Sequence, residues 1–277
     1  MIVFPNCKIN LGLHIISKRE DGFHNIETVF YPINWCDSLE VLENHGSNAP
    51  FVYSQSGLAI TGTIEQNLIY KAWEIISKEK KLPTIKVHLH KNIPMGAGLG
   101  GGSSDAASFI NLLNTKFKLG YSEMGKMKIA SLLGSDCAFF INNSPVYAQG
   151  KGNEFSDINV SLDQYYVLVV HPNIHSNTKE AYEGLIPQKP KHNLTDVVVS
   201  RPIMEWKDFL VNDFESTILK KHPPIKMLKE NLYKTGAIYA SLSGSGSAVF
   251  GVFEKEPETN FPFEYTFYLQ KPSPKIL

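Results

Sequence analysis

Five glycines stand in seven consecutive positions, Gly96, Gly98, Gly100, Gly101 and Gly102, inside the segment PMGAGLGGGSSDAA that runs from Pro94 to Ala107. Backbone N–H groups at the start of a helix lack intrahelical partners and carry the positive end of the helix dipole, so they attract phosphate wherever no side chain blocks the approach. Glycine removes that block and permits the positive φ angles that turn several N–H groups toward one anion. Ser103 and Ser104 add hydroxyls suited to capping, to phosphate or to a magnesium ion. A flexible turn is the competing reading, but turns seldom need so many glycines directly ahead of a helix.

Several kinds of glycine loop are separable by the residues on their C-terminal side. Gly96, Gly98 and Gly101 satisfy G-x-G-x-x-G, yet a dinucleotide fold needs a subsequent strand that ends in an acidic residue about 20 positions on, whereas this chain continues into GYSEMGK and a second helical pattern. A P-loop needs a lysine and a hydroxyl residue after its last glycine, and Gly102 is succeeded by Ser103-Ser104-Asp105. Protein-kinase signatures such as HRD and DFG are absent from the sequence.

The elements that must position this loop are legible around it. Thr84 to Lys91 (TIKVHLHK) alternates Ile85, Val87 and Leu89 with Lys86, His88 and His90, a strand with one buried face. His88 and His90 share the polar face without an acidic or cysteine partner, so they read as solvent-facing rather than as metal ligands. Ser108 to Phe117 repeats Ile110, Leu113 and Phe117 on one face, which gives the order strand, glycine loop, helix. Upstream, Ile64 to Lys81 has helical spacing. Downstream, a helix capped by Ser122 runs to Gly134, and Asp136 lies just past its end. The first 42 residues are β-rich, with strands at 2–16 (broken at Pro5), 27–33 and 38–42 and a hairpin loop expected at ENHGSN. Tyr165 to Val170 reads as a buried strand. Asn212 to Phe214 and Met227 to Tyr233 read as helical, and Ala237–Leu242 and Ala248–Phe253 as strands joined by SGSGS. A domain boundary is placed near residue 155, giving 1–155 and 156–277.

Composition narrows the functional classes. The chain has 277 residues, enough for two modest domains, with 27 Lys plus Arg against 27 Asp plus Glu. No global basic field draws it to nucleic acid or anionic lipid, so an anion site must be local. No apolar run is long enough to span a bilayer, and MIVFPNCKINLG lacks a basic-then-apolar signal pattern. Cys7, Cys36 and Cys137 are odd in number and form no CxxC pair. A cytoplasmic location with reduced thiols is the expectation.

Three segments in order, PNCKINLGLHIISKREDGFHNIETVF, PMGAGLGGGSSDAA and LSGSGSAVFGVF, resemble the three motifs of the GHMP kinase superfamily over most of the chain. The DGFH segment and the triple glycine before two serines resemble the branch that phosphorylates a cytidine diphosphate sugar alcohol. The resemblance implies an α+β, two-domain fold, with an N-terminal domain like the second domain of ribosomal protein S5 and a C-terminal α/β-plait-like domain. It also implies ATP and Mg2+ as cofactors and a small-molecule alcohol as acceptor. Within the matched motifs, Lys8 and Asp136 correspond to the catalytic lysine and aspartate, and Asn10 to an asparagine that positions the substrate hydroxyl. Without the match, Lys8 reads as a solvated lysine and Asp136 as a polar helix terminus. Phe23, where relatives usually carry tyrosine, and Tyr182 would stack on the cytosine, with His24 reading its edge; core packing is the rival reading for Tyr182. Asn67 in EQNLIYKA, Lys91, Pro94 and the loop from Gly96 to Ser104 would hold ATP. Ser243 to Ser247 would line the substrate diphosphate or be a plain hairpin loop. Two alternatives stay open: a GHMP kinase for another small alcohol, mevalonate- or homoserine-like, and a catalytically silent nucleotide-binding regulator.

Overall fold

The computed structural model describes residues 1–46 and 48–274. In chain order its strands are β1 (Ile2–Val3), β2 (Asn6–Lys18), β3 (His24–Cys36), β4 (Ser38–Glu43), β5 (Phe51–Gly57), β6 (Ile85–Lys91), β7 (Val146–Gln149), β8 (Glu154–Asp157), β9 (Tyr166–His171), β10 (Tyr239–Leu242), β11 (Val249–Phe253) and β12 (Thr266–Gln270). The helices are α1 (Leu68–Glu79), α2 (Gly101–Lys116), α3 (Glu123–Leu133), α4 (Phe139–Asn142), α5 (Thr178–Tyr182), α6 (Leu194–Ser200), α7 (Trp206–Phe209), α8 (Glu215–Lys221) and α9 (Pro223–Lys234). Contacts group the chain into two compact units that interleave along the sequence.

The first unit comprises Met1–Cys7, Asn34–Met95 and Gly100–Ser144. Its sheet has the order β1-β4-β6-β5, with β4 antiparallel and β5 parallel to β6. Ile85, Val87 and Leu89 are buried while Lys86 and His90 are exposed, as the alternation requires. His88 and His90 bond to Ser54 and Ser56 across the sheet. The Asn67 side chain caps α1 by accepting from Ile69 N at 2.9 Å, and Ser122 caps α3 by accepting from Gly125 N at 3.2 Å. Phe51 ties β5 to the helices, its ring centroid 5.1 Å from Trp73 and 6.4 Å from Phe109. ENHGSN, of which Ser47 lies outside the described residues, is not a hairpin loop: β4 and β5 do not pair, because β6 runs between them.

The second unit comprises Lys8–Ile33, Gly96–Leu99 and the chain from Pro145 on. It holds a sheet of order β2-β3-β7-β8 and an antiparallel sheet of order β10-β11-β9-β12. A core of Leu13, Ile15, Leu168, Val170, Ile225, Leu228 and Val249 joins the long N-terminal strand to β9, β11 and α9, each fully buried side chain contributing about 1.5–3 kcal/mol. Asn212 to Phe214 is not helical: Asn212 forms a bridge to Leu13, and its Oδ1 accepts from Phe214 N, so α8 starts at Glu215. Among the described residues no helix is long and apolar enough to cross a membrane.

Candidate active site

In the first unit, β6 ends at Lys91 and α2 begins at Gly101, with Gly100 as its N-cap at φ +71°. That left-handed conformation suits glycine. The first i→i−4 bond is Ser104 N to Gly100 O at 2.9 Å, so the N–H groups of Gly101, Gly102 and Ser103 precede the ladder, and no acidic residue occupies the first turn. This is an anion-accepting helix terminus. The capping role considered for Ser103 and Ser104 does not hold, since the helix starts before them and its cap has no side chain; Ser104 is buried, Ser103 half-buried.

Beside that terminus lies a cavity of 390 Å³ lined by Tyr53, Ile64, Asn67, Met95, Gly102 and Asp105 among others. Asn67 serves twice: it caps α1, and its Nδ2 donates to the Tyr53 hydroxyl at 3.2 Å. Burial, with the Asp105 charge adding, pushes the Tyr53 phenol up to about 12 against the hydrogen bond from Asn67. Pro94 is buried at the mouth of the loop. Lys91, expected to hold ATP, has an inward-turned side chain. Its side chain has 0 % exposure, and its ammonium is held by Asp37 and by Asp105, the latter at 2.8 Å. Burial works against that charge, but the two carboxylates together hold the lysine above its usual value, while burial keeps the Asp105 carboxyl above the ordinary carboxylate range.

In the second unit, Lys8 is tied to Gly96–Leu99 by main chain and side chain: its N–H donates to Leu99 O at 3.0 Å and its ammonium to Gly98 O at 3.1 Å. The ammonium also donates to Asn10 Oδ1 at 2.7 Å and lies 5.0 Å from the centre of the Phe30 ring. Asn10 is oriented in turn by donating to Thr28 Oγ1 at 2.9 Å. Lys8 is thus buried and hydrogen-bonded, not a solvated lysine. SGSGS closes on the same stretch: Ser243 Oγ donates to Gly98 O at 2.9 Å and Ala248 N to Ala97 O at 3.1 Å. A Cβ on Gly98 would fall 2.0 Å from Ser243 O, so the contact demands glycine there. Leu99 is buried, and its carbonyl accepts from the Lys8 backbone N–H.

His24 and Tyr182 stack with centroids 4.4 Å apart and planes 15° from parallel. Tyr182 also packs edge-on against Phe214 at 4.9 Å, so it belongs to the core as well as to this pair. Burial, then the charge of Lys18, keeps the His24 imidazole below its usual value. Phe23 is 55 % exposed and meets Lys151 rather than Tyr182, the ammonium 4.8 Å from its ring centre. Asp21 anchors this corner, accepting from Phe23 N at 3.1 Å and pairing with Arg19 and Lys151.

Asp136 lies in the first unit, half-buried beyond the C-cap of α3 at Gly134. Burial, with the Asp136 charge adding, raises the Cys137 thiol to about 11 despite a hydrogen bond with Ser103. Sequence reasoning missed Asp37, Asp105, Tyr53, Thr28 and Lys151. Asp105 alone had a signal, standing directly after Ser103-Ser104. Among the described residues no group of three or more His, Cys, Asp or Glu side chains is placed to hold a metal ion.

The family model described as GHMP kinases N terminal domain matches residues 67–144, and the one described as GHMP kinases C terminal matches 201–261. A 4-diphosphocytidyl-2-C-methyl-D-erythritol kinase of Bacteroides fragilis is 47 % identical over 271 residues, covering 98 % of each chain. One from Bacteroides thetaiotaomicron is 48 % identical over 94 % of this chain and 96 % of its own. A crystal structure of 4-(cytidine 5'-diphospho)-2C-methyl-D-erythritol kinase superposes with a TM-score of 0.74 at 26 % identity, covering 91 % of this chain and 90 % of that one.

Proposed function

We propose, from the premise that this chain belongs to the 4-diphosphocytidyl-2-C-methyl-D-erythritol kinases of the GHMP kinase family, that it transfers the γ-phosphoryl group of ATP to the 2-hydroxyl of 4-diphosphocytidyl-2-C-methyl-D-erythritol. It is then an ATP-dependent phosphotransferase of the methylerythritol phosphate route to isoprenoid precursors. The observation that carries the reading is the seat of Lys8, whose buried ammonium bonds to the carbonyl of a glycine in the loop itself.

Phosphoryl transfer asks mainly for positioning and charge stabilisation. The substrate hydroxyl attacks the γ-phosphorus, its proton passes to Asp136, and the bond from the γ-phosphorus to the bridging oxygen breaks to release ADP. Lys8 stabilises the charge on the transferring phosphoryl oxygens, and Asn10 orients the hydroxyl. The N–H groups of Gly100 to Ser103 hold the phosphates, and the cavity by Asn67 and Tyr53 receives the adenine. His24, Phe23 and Tyr182 take the cytosine: neutral imidazole offers one donor and one acceptor, as a cytosine edge requires, and base stacking on an aromatic contributes about 1–3 kcal/mol.

Mg2+ is commonly held by one or two protein oxygens together with the substrate phosphates. Ser103 Oγ, in the first turn of α2, would be the protein oxygen that holds it, and the ion would supply neutralisation of the phosphate charge. The two matched family segments fall on either side of residue 155, which supports that position as the boundary between an N-terminal and a C-terminal domain. We assign a cytoplasmic setting, where the three free thiols Cys7, Cys36 and Cys137 would stay reduced.

The test is ADP release with Mg2+ and ATP against a panel of 4-diphosphocytidyl-2-C-methyl-D-erythritol, mevalonate and homoserine. Turnover confined to the first is expected; turnover on another alcohol, or ATP binding without turnover on any, refutes the assignment.

A further inference from the structure

Three charged side chains, Asp37, Lys91 and Asp105, are buried together in the first unit. Lys91 closes β6, Asp37 stands between β3 and β4, and Asp105 comes just after the first turn of α2. The Lys91 ammonium donates to Asp37 Oδ2 and, at 2.8 Å, to Asp105 Oδ2. Asp37 Oδ1 accepts from the backbone N–H of Asn92 at 2.6 Å and of Ile93 at 2.8 Å. The residues by which the chain leaves β6 and the helix it enters after the loop are therefore bound to one ion cluster. The fit is close, because a Cβ on Gly101 would lie 3.0 Å from both Lys91 Nζ and Ile93 Cγ2.

Burying three charges is costly, and well-packed apolar side chains of similar volume often do as well or better for stability. Apolar side chains could not accept from Asn92 and Ile93, nor fix where the first turn of α2 sits against β6. Asp105 Oδ1 has no hydrogen-bond partner among the described residues, so the polar tie from Asp105 runs through Oδ2 to Lys91. Only a small misplacement of the N–H groups at Gly101 to Ser103 is needed to weaken their grip on a phosphate.

We propose that Lys91, with Asp37 and Asp105, is a positioning device that sets the anion-binding first turn of α2 relative to β6, and that Lys91 acts on ATP through the helix rather than by contact. The inference rests on the reading of that helix terminus as the ATP phosphate seat. It is tested at Asp37, which does not line the cavity assigned to adenine, because Asp37→Ala cuts the tie to Asn92 and Ile93 while leaving Lys91 and Asp105 as a neutral pair. Its dissociation constant for ATP, measured by calorimetry, should rise about tenfold, with KM for the cytidine substrate unchanged. Asp37→Asn keeps an acceptor for those two N–H groups and should bind ATP within about threefold of wild type. An Asp37→Ala variant that melts earlier yet binds ATP like wild type overturns the proposal. So does an Asp37→Asn variant about tenfold weaker for ATP, an arm that decides the matter even if Asp37→Ala does not fold. Wild-type protein that binds ATP but leaves the cytidine substrate unphosphorylated would refute the function proposed above, and the order of ATP affinities would still be readable.

Discussion

The Lys8 ammonium donates to the carbonyl oxygen of Gly98 across 3.1 Å, joining two residues 90 positions apart in sequence. A lysine fixed in this way cannot wander with solvent, since Asn10 and the Phe30 ring hold it from other directions. Its charge is delivered to the glycine loop as part of the fold, at no ordering cost when substrate arrives.

Replacing that charge should therefore damage the transition state more than the ground state. Lys8→Met is expected to lower kcat by at least about 100-fold while KM for ATP changes little. A proportional rise in KM with kcat intact would assign Lys8 to ground-state binding instead.

Gly98 tolerates no side chain, because its φ is +76° and a Cβ would meet Ser243 O at 2.0 Å. Gly98→Ala should cost about 3 kcal/mol or more in folding, read from the denaturation midpoint, and should weaken ATP binding in whatever folds. A variant as stable as wild type would mean that the contact between SGSGS and the loop is not formed.

His24→Ala is expected to raise KM for the cytidine substrate about tenfold and to leave KM for ATP alone. Burial, then the charge of Lys18, holds the imidazole below its ordinary value, so the neutral form dominates at neutral pH and the imidazolium takes over only on the acid side of the usual histidine range. An imidazolium has donors alone and cannot accept from the cytosine amino group. The cytidine KM should thus be flat at neutral and alkaline pH and rise toward acid, with a midpoint below that of an ordinary imidazole, and in His24→Ala this acid limb should vanish. An unchanged acid limb in the variant would assign it to another group.

Lys151 sits 4.8 Å from the centre of the Phe23 ring and pairs with Asp21. At a half-exposed site such a contact contributes about 0.5–1 kcal/mol. Lys151→Met should then raise the cytidine KM about two- to fivefold, as the ring loses its anchor, and spare kcat. No change in that KM would show that Phe23 holds its place unaided.

What the sequence disclosed and what it withheld divide along physical lines. The alternation of β6, the Ser122 cap and the glycines ahead of α2 are local signals, each decided by residues within one turn or one strand, and the structure has them all. Non-local arrangements were harder. The pairing of β5 with β6 rather than β4 depends on a crossover that no turn residue marks, so ENHGSN imitates a hairpin. Lys91 reads as a lysine near the nucleotide, and nothing local discloses that its carboxylate partner Asp37 stands 54 residues earlier. Asp37 itself lies beside a strand start, where an aspartate usually means no more than a turn. The family resemblance located Lys8 and Asn10, but their hydrogen bonds to Gly98 and Thr28 required coordinates.

The most direct measurement tracks the phosphoryl group. Wild-type protein and Asp136→Asn are incubated with Mg2+, ATP and 4-diphosphocytidyl-2-C-methyl-D-erythritol, and the products are identified by mass spectrometry and phosphorus NMR. Wild type should yield ADP and substrate carrying one added phosphoryl group on its 2-hydroxyl. Asp136→Asn should bind ATP as before and form that product at least about 100-fold more slowly. ADP formed without a phosphorylated cytidine product, or undiminished turnover by Asp136→Asn, would contradict the account.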